Sequence, residues 1–316
     1  MRVLFMGTPE FSVPTLEALI ASHHQVIGVV TQPDKPKGRG KEMQETPIKQ
    51  VALAHGIPVY QPRKAREPEF LDLVRELNPD VAVVIAYGQI LSKAFLEIPK
   101  YGCINVHASL LPKYRGAGPI QWSVINGETE TGVTIMQMDP GIDTGDMLLK
   151  AICPIAEDET AGSLHDKLSV MGGPMIVKVL DDALEGKLMP IKQDHSASTH
   201  APMLTKEMGN LDYSRSAKEL KQLIQGLNPW PSAYTSYKGK MIKIWQAEVM
   251  DISDVTLPND ATPGMVIAIN KHKGFAVLTG EGALMMTECQ VQGKNRMTAD
   301  AFMRGYPMTI GDRLGE

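Results

Sequence analysis

Residues 2–30, RVLFMGTPEFSVPTLEALIASHHQVIGVV, pass from a short apolar run through a glycine turn into a stretch with helical spacing, then into a second Val/Ile run. Short β-branched runs bounded by turn residues read as strands, and apolar residues recurring every three or four positions read as helix. Strand, helix, strand is the unit that builds a parallel sheet, because parallel neighbours need a long crossover. The alternation continues. PVYQ (58–61), DVAVVIAYG (80–88) and CINVHASL (103–110) read as strands, with PIKQVALAHG (47–56) and EFLDLVRELNP (69–79) as helices between them. The fold class expected is α/β: a Rossmann-like, mostly parallel sheet with helices on both faces.

A dinucleotide site is the first function to test on such a start. Its fingerprint needs a glycine two residues after the first and a third further on, and MGTPEFS (6–12) has neither. Gly7 therefore reads as a tight strand-to-helix turn.

The chain is longer than one hydrophobic core usually serves, at 316 residues, so two domains are expected. TGVTIMQM (131–138) and DMLLKAICPIA (146–156) add strands, and a long amphipathic helix follows from about Ala161 to Leu184. KLMPIKQDHSASTHAPML (187–204) keeps no period and mixes proline with small polar residues, the composition of a linker. The expected boundaries are a catalytic domain over 1–188, a linker over 189–206 and a smaller domain over 207–316. That last part begins with a helix, SAKELKQLIQGL, and continues in short strand-like runs. It reads as a small β-barrel, for which the oligonucleotide-binding (OB-like) type is one candidate.

A net charge of −4 means that any nucleic acid must meet a local basic surface rather than the field of the whole molecule. The smaller domain, from Glu207 onward, holds 12 basic and 12 acidic residues. Cys103, Cys153 and Cys289 stand far apart without metal-ligand spacing, which argues against a zinc site and a disulfide framework and fits a reducing cytoplasm. Neither a signal core nor an 18-residue apolar run is present, so no membrane partner is expected.

The chemistry concentrates in INVHASLLPKYRGAGP (104–119). On a strand, Asn105 and His107 share one face. The C-terminal end of a parallel strand is where open α/β sheets bind ligands. A structural alternative is a hydrogen-bonded pair that pins the following loop. MDPGIDTGDML (138–148) brings Asp139, Asp143 and Asp146 into another loop after a strand, where a carboxylate could orient an imidazole or merely form turns. Amide, imidazole and carboxylate without an activated serine or cysteine suit direct acyl transfer to an amine. Asn and protonated His would donate to the developing oxyanion, and Asp would support proton removal from the nucleophile.

Residues 104–148 closely resemble the core of the methionyl-tRNA formyltransferases, within the folate-dependent formyltransferases marked by Asn-x-His and a later Asp. FMGTPEF (5–11), VVTQPDKPKGRGK (29–41), VIAYGQIL (84–91) and LNPWPSAYT (227–235) extend the resemblance over most of the chain. The resemblance implies a formyl transfer from 10-formyltetrahydrofolate to methionine on initiator tRNA, with Asn105, His107 and Asp143 as the catalytic trio and no metal. It implies that Ser109, Leu110, Leu111 and Pro112 contact the folate, with Gly88, Gln89, Ile90 and Leu91 as a second wall or, equally, an ordinary turn. Lys35, Lys37, Arg39 and Lys41 would grip the tRNA acceptor stem, Arg39 foremost. Glu42 stands where some relatives are basic.

In the smaller domain, Lys238, Lys240 and Lys243 alternate with Tyr237 and Trp245, a mixture that suits RNA contact or plain packing. NPWP (228–231) reads as a turn with a core tryptophan. Two other readings share the features: a formyltransferase for a small amine, and a non-catalytic RNA- or folate-binding protein. The basic loop and extra domain argue against the first, and the complete trio against the second. A monomer is expected.

Overall fold

The computed structural model describes residues 1–37 and 42–316. Arg39 and Lys41 lie outside the described residues. In chain order the first elements are β1 (Arg2–Gly7), α1 (Val13–Ala21), β2 (Gln25–Val30), β3 (Lys35–Lys37), β4 (Glu42–Gln44), α2 (Pro47–Ala54) and β5 (Val59–Tyr60). Then come α3 (Pro68–Leu77), β6 (Val81–Ile85), α4 (Lys93–Leu96), β7 (Cys103–His107), β8 (Arg115–Gly116), α5 (Pro119–Ile125), β9 (Glu130–Gln137), β10 (Met147–Pro154), α6 (Ala161–Leu184) and β11 (His200–Ala201).

Seven of these strands form one sheet in the order β10-β9-β7-β6-β1-β2-β5. The pairs from β7 to β5 are parallel, and β9 runs antiparallel to both β7 and β10. The mostly parallel sheet expected from the Val/Ile runs is present. β6 is buried at every position, as a strand covered on both faces must be. From β1 the chain moves outward to β2 and β5, then returns to place β6 and β7 on the other side. The order therefore reverses beside β1, and crevices at such reversals, at the C-terminal strand ends, are where this architecture takes ligands.

Local chemistry sets the helix ends. Thr46 caps α2 by accepting from the Lys49 amide, Pro47 occupies the first turn, and Asn78 closes α3 in the left-handed conformation at φ 46°. In α6, Gly172 and Gly173 permit close packing. A Cβ on Gly172 would lie 2.9 Å from Thr15 Oγ1 and Val106 Cγ1, and one on Gly173 2.7 Å from Ala18 Cβ.

Two compact units are present, one of Met1–Pro119, Glu130–Pro154 and His165–Ala201, the other of Ile120–Thr129, Ile155–Leu164 and Pro202–Glu316. This differs from single cuts at 188 and 206. Periodicity marks where an element lies but not which body it joins. The stretch expected as a linker is also paired: Ile191 bridges Met147, and β11 lies parallel to β8. Pairings this short leave no alternation to read.

The second unit contains α7 (Ala217–Gly226), β12 (Ala233–Tyr237), β13 (Lys240–Met250), β14 (Val266–Asn270), β15 (Gly274–Leu278), β16 (Ala283–Val291), β17 (Met297–Thr298) and α8 (Ala299–Gly305). Its strands form an antiparallel sheet in the order β12-β13-β16-β15-β14, with β17 on β16. Among the described residues no pairing joins β12 to β14, so the sheet is open where a closed barrel would be sealed. Ser216 and Glu219 form a reciprocal capping box at the start of α7. Leu220, Leu223 and Ile224 from that helix share a core with Phe275 and Phe302. The tryptophan of NPWP is not in a core: Trp230 is 54% exposed. It lies in a turn between Pro229 and Pro231, where the chain leaves α7 for β12.

Candidate active site

β7 positions the first two polar groups. Asn105 stands opposite Val84 of β6 and Met136 of β9, and His107 opposite Thr134. Their side chains leave the same face of the strand, near its C-terminal end. His107 is 6% exposed, so its ring nitrogens must be satisfied by protein or substrate. Nε2 lies 2.9 Å from the Tyr114 carbonyl oxygen. A carbonyl can only accept, so Nε2 carries the hydrogen and Nδ1 is left to act. One ring nitrogen therefore pins the loop after β7, and the other is left facing the Asp143 carboxylate.

Nδ1 faces Asp143, with Oδ2 at 3.7 Å. That is too long for a direct hydrogen bond but within ion-pair range. The Asp143 carboxylate is 17% exposed, and its Oδ2 accepts from the Gly116 amide at 2.8 Å. Asp143 itself sits at φ +53°, a left-handed conformation that aspartate tolerates better than most residues. The three aspartates of this loop, among which the family resemblance alone picked Asp143, separate by their contacts. Asp139 Oδ1 accepts from the Gly141 amide and the Thr144 hydroxyl, so it shapes the turn. The backbone of Asp146 accepts from the Gln137 amide. Asp143 alone of the three meets His107.

Four residues of this site were not found from sequence: Tyr114, Arg115, Gly116 and Gln193. Gln193 is buried in the supposed linker and donates through Nε2 to the carbonyls of Asp143 (2.8 Å) and Gly145 (2.7 Å). Its Oε1 accepts from Arg115 Nε and a terminal guanidinium nitrogen at 3.0 and 2.7 Å. No spacing rule links a glutamine to carbonyls some fifty positions away, so nothing in the sequence flagged it.

The segment after β7 is partly committed to structure. Ser109 is buried, donates its hydroxyl to the Lys113 carbonyl and offers its own carbonyl to the Thr134 hydroxyl. Leu111 packs with Met136 and Met147, so its side chain belongs to the core, while Leu110 and Pro112 are half-buried. The Gly88–Leu91 turn follows β6, the neighbour of β7. Gly88 is exposed at φ +83° and Ile90 is 84% exposed. Gln89 accepts from the Ala65 amide, and Leu91 lies in the same core cluster as Phe95. The structure thus leaves Gly88 and Ile90 open and turns Gln89 and Leu91 to packing.

Among the RNA-directed lysines, Lys35 is exposed on β3, which pairs with β4 so that Lys37 stands opposite Glu42. The base of this hairpin is tied down by Asp34, whose carboxylate takes Lys49 at 2.5 Å and Gln61 at 2.7 Å. These hydrogen bonds, Lys49 first, hold the Asp34 carboxyl below its ordinary range. In the second unit Tyr237 is buried and donates to Asp312, which places it with the core. Lys238 lies over the Tyr237 ring and Lys240 over Tyr306. Lys243 and Trp245 share the outward face of β13, with Lys243 at 5.5 Å and Arg296 at 5.1 Å from the indole ring.

One group among the described residues has metal-like spacing: His23, His24 and Asp181, by the α1–β2 turn. Asp181 Oδ1 lies 2.9 Å from His23 and 3.2 Å from the buried His24, whose other nitrogen is 3.3 Å from the amino terminus. This group sits where β2 begins, at the opposite strand ends from Asn105 and His107. No helix among the described residues is long and apolar enough to cross a membrane, and the three cysteines are buried with no disulfide among the described residues.

A formyl transferase family model matches residues 1–180, and a formyl transferase C-terminal domain model matches 203–307. The methionyl-tRNA formyltransferase of Agathobacter rectalis is 54% identical over 311 residues, covering 98% of each chain. The chain belongs to the methionyl-tRNA formyltransferase family. A second member, from Lachnospira eligens, is 50% identical over the full length of both chains. The fold is shared more widely than the family. WlaRD, a sugar 3N-formyl transferase solved in the presence of dTDP and 5-N-formyl-THF, superposes with a TM-score of 0.68 at 18% identity, over 93% of this chain and 99% of its own. HypX from Aquifex aeolicus, solved with tetrahydrofolic acid, gives 0.62 at 14% identity over 99% of this chain and 48% of its own.

Proposed function

We propose that this protein transfers the formyl group of 10-formyltetrahydrofolate to the α-amino group of methionine on initiator tRNA, yielding N-formylmethionyl-tRNA for translation initiation. Full-length identity of 54% to a methionyl-tRNA formyltransferase carries the reading. The placement of Asn105 and His107 on one face of β7, with Asp143 opposite His107, supports it from the side of chemistry.

In this mechanism the amine attacks the formyl carbon directly. A new carbon–nitrogen bond forms, the bond to the folate nitrogen breaks, and the proton lost by the amine ends on that nitrogen. Asn105 donates its amide hydrogens to the formyl oxygen as negative charge grows there. Nδ1 of His107, opposite Asp143, donates as a second partner when it carries a proton. The carboxylate also accepts from the incoming ammonium. A free α-amino group titrates at about pH 8, so modest assistance generates the nucleophile without a covalent intermediate.

The donor would lie against the backbone of Ser109–Pro112 and the exposed Gly88 and Ile90, while the side chains of Leu91 and Leu111 support that wall from the core. Lys35, Lys37, Arg39 and Lys41 would hold the acceptor stem through phosphate contacts. Lys238, Lys240 and Lys243 would extend the basic surface, with Trp245 presenting a stacking face between Lys243 and Arg296. We read the second unit as a partly open barrel of the oligonucleotide-binding type, a class whose strands commonly face nucleic acid. The protein would act as a monomer, and the reaction belongs in the cytoplasm.

The test is transfer of labelled formyl to methionine-charged initiator tRNA, with charged elongator tRNA and a small amine nucleotide as competitors. Label confined to the initiator is expected. Label on the small amine instead would overturn the acceptor assignment, and label on no acceptor would overturn the activity.

A further inference from the structure

The segment between α6 and β11 was expected to do no more than connect. It instead inserts one buried side chain beneath the loop that carries Asp143. The Gln193 amide uses both ends: Nε2 donates to the carbonyls of Asp143 and Gly145, and Oε1 accepts twice from Arg115. Only one orientation of the amide satisfies all four bonds, because carbonyls only accept and a guanidinium only donates. Arg115 is in turn adjacent to Gly116, whose amide binds the Asp143 carboxylate. The carboxylate is thus gripped from the front by Gly116, while its own backbone is gripped from behind by Gln193.

We infer that Gln193 is a positioning residue for formyl transfer, holding the left-handed Asp143 so that its carboxylate stays opposite Nδ1 of His107. This rests on the reading that Asp143 takes part in the reaction. A side chain at φ +53° has no intrinsic preference for that place, and the loop holding it contains Gly141 and Gly145. Two hydrogen bonds from Gln193, to the carbonyls of Asp143 itself and of Gly145, hold its backbone. Gln193 touches no reacting atom and acts through Asp143.

Gln193→Glu makes the sharpest variant. The carboxylate matches the amide in size and strengthens the contact with Arg115, so folding is retained. It cannot donate, however, and would confront the Asp143 and Gly145 carbonyls with negative charge. Single-turnover formyl transfer should fall by about a hundredfold, as a displacement near one ångström costs. KM for donor and for charged tRNA should be unchanged. In an Asp143→Asn background, the same substitution should change the rate by no more than about twofold, since the two then act as one unit.

Gln193→Leu, which cannot donate either and carries no charge, should repeat the loss and separates missing hydrogen bonds from repulsion. If Asp143→Asn lowers the rate and neither Gln193 variant does, the inference fails alone. Full additivity of Gln193→Glu with Asp143→Asn would overturn it as well, by showing an effect not transmitted through Asp143. If Asp143→Asn itself leaves the rate unchanged, the catalytic reading of Asp143 falls and the inference with it.

Discussion

The carbonyl oxygen of Tyr114 lies 2.9 Å from Nε2 of His107, and this contact decides which nitrogen of the imidazole is available. Tyr114 adopts φ +59°, a left-handed turn that directs its carbonyl back beneath β7. The neutral ring must then carry its hydrogen on Nε2. Nitrogen-15 spectra of the labelled protein with its imidazoles neutral should show His107 as a single Nε2–H tautomer, and an Nδ1–H form would contradict the assignment.

Asn105→Ala should lower formyl transfer by about two to three powers of ten, the usual loss when one oxyanion donor is removed. The substitution lies at a half-buried strand position, so the folded state should survive. Circular dichroism and single-turnover rates measured on one preparation separate the two effects. A rate near that of the native protein would remove Asn105 from the mechanism.

Gly145 has no room for a side chain. An added Cβ would sit 1.9 Å from the Gln137 carbonyl oxygen, which is backbone and cannot swing aside. Gly145→Ala must therefore shift the loop that holds Asp143, and kcat should fall more than either KM. Gly186→Ala is the control for backbone strain alone: that glycine has a positive φ and open space around it, and activity should be retained.

Burial, then the amino-terminal charge and His23, press the His24 imidazole below its ordinary value, while Asp181 pulls the other way. The unfolded chain binds a proton there near pH 6.5 and the folded chain only at lower pH. Stability contributed by neutral His24 is therefore present above about pH 6.5, declines as pH falls toward the folded value, and levels off below it. Denaturation across that window should slope less steeply for His24→Gln than for the native chain. Parallel slopes would show that His24 does not titrate on unfolding.

Sequence carried the large elements well because each announces itself locally. The Val/Ile run at 81–85 could only be a buried strand, and α6 occupies Ala161–Leu184 as its spacing predicts. Asn105 and His107 were legible for the same reason, since alternation places them on one face. Residue pattern alone left Asp143 among three aspartates, the family resemblance picked it out, and its contact with the Gly116 amide gives that choice a physical footing. Gln193 was invisible because its role depends on contacts distant in the chain. Trp230 was misplaced because hydrophobicity alone suggests burial, and the residue sits exposed in a turn.

Ile125 packs in the same core as Leu223 and Ile224, and the missing side chain of Gly226 is what lets it approach. A ribosome delivers Ile125 long before Gly226. During synthesis Ile125 must therefore remain without Leu223 and Ile224 while the Asp143 loop, α6 and the Gln193 segment are still being made. A separately expressed fragment starting at Pro202 would lack that piece altogether and leave a hollow where Ile125 belongs. The smaller unit is finished by a residue encoded in the middle of the larger one, so the two halves are not interchangeable cassettes.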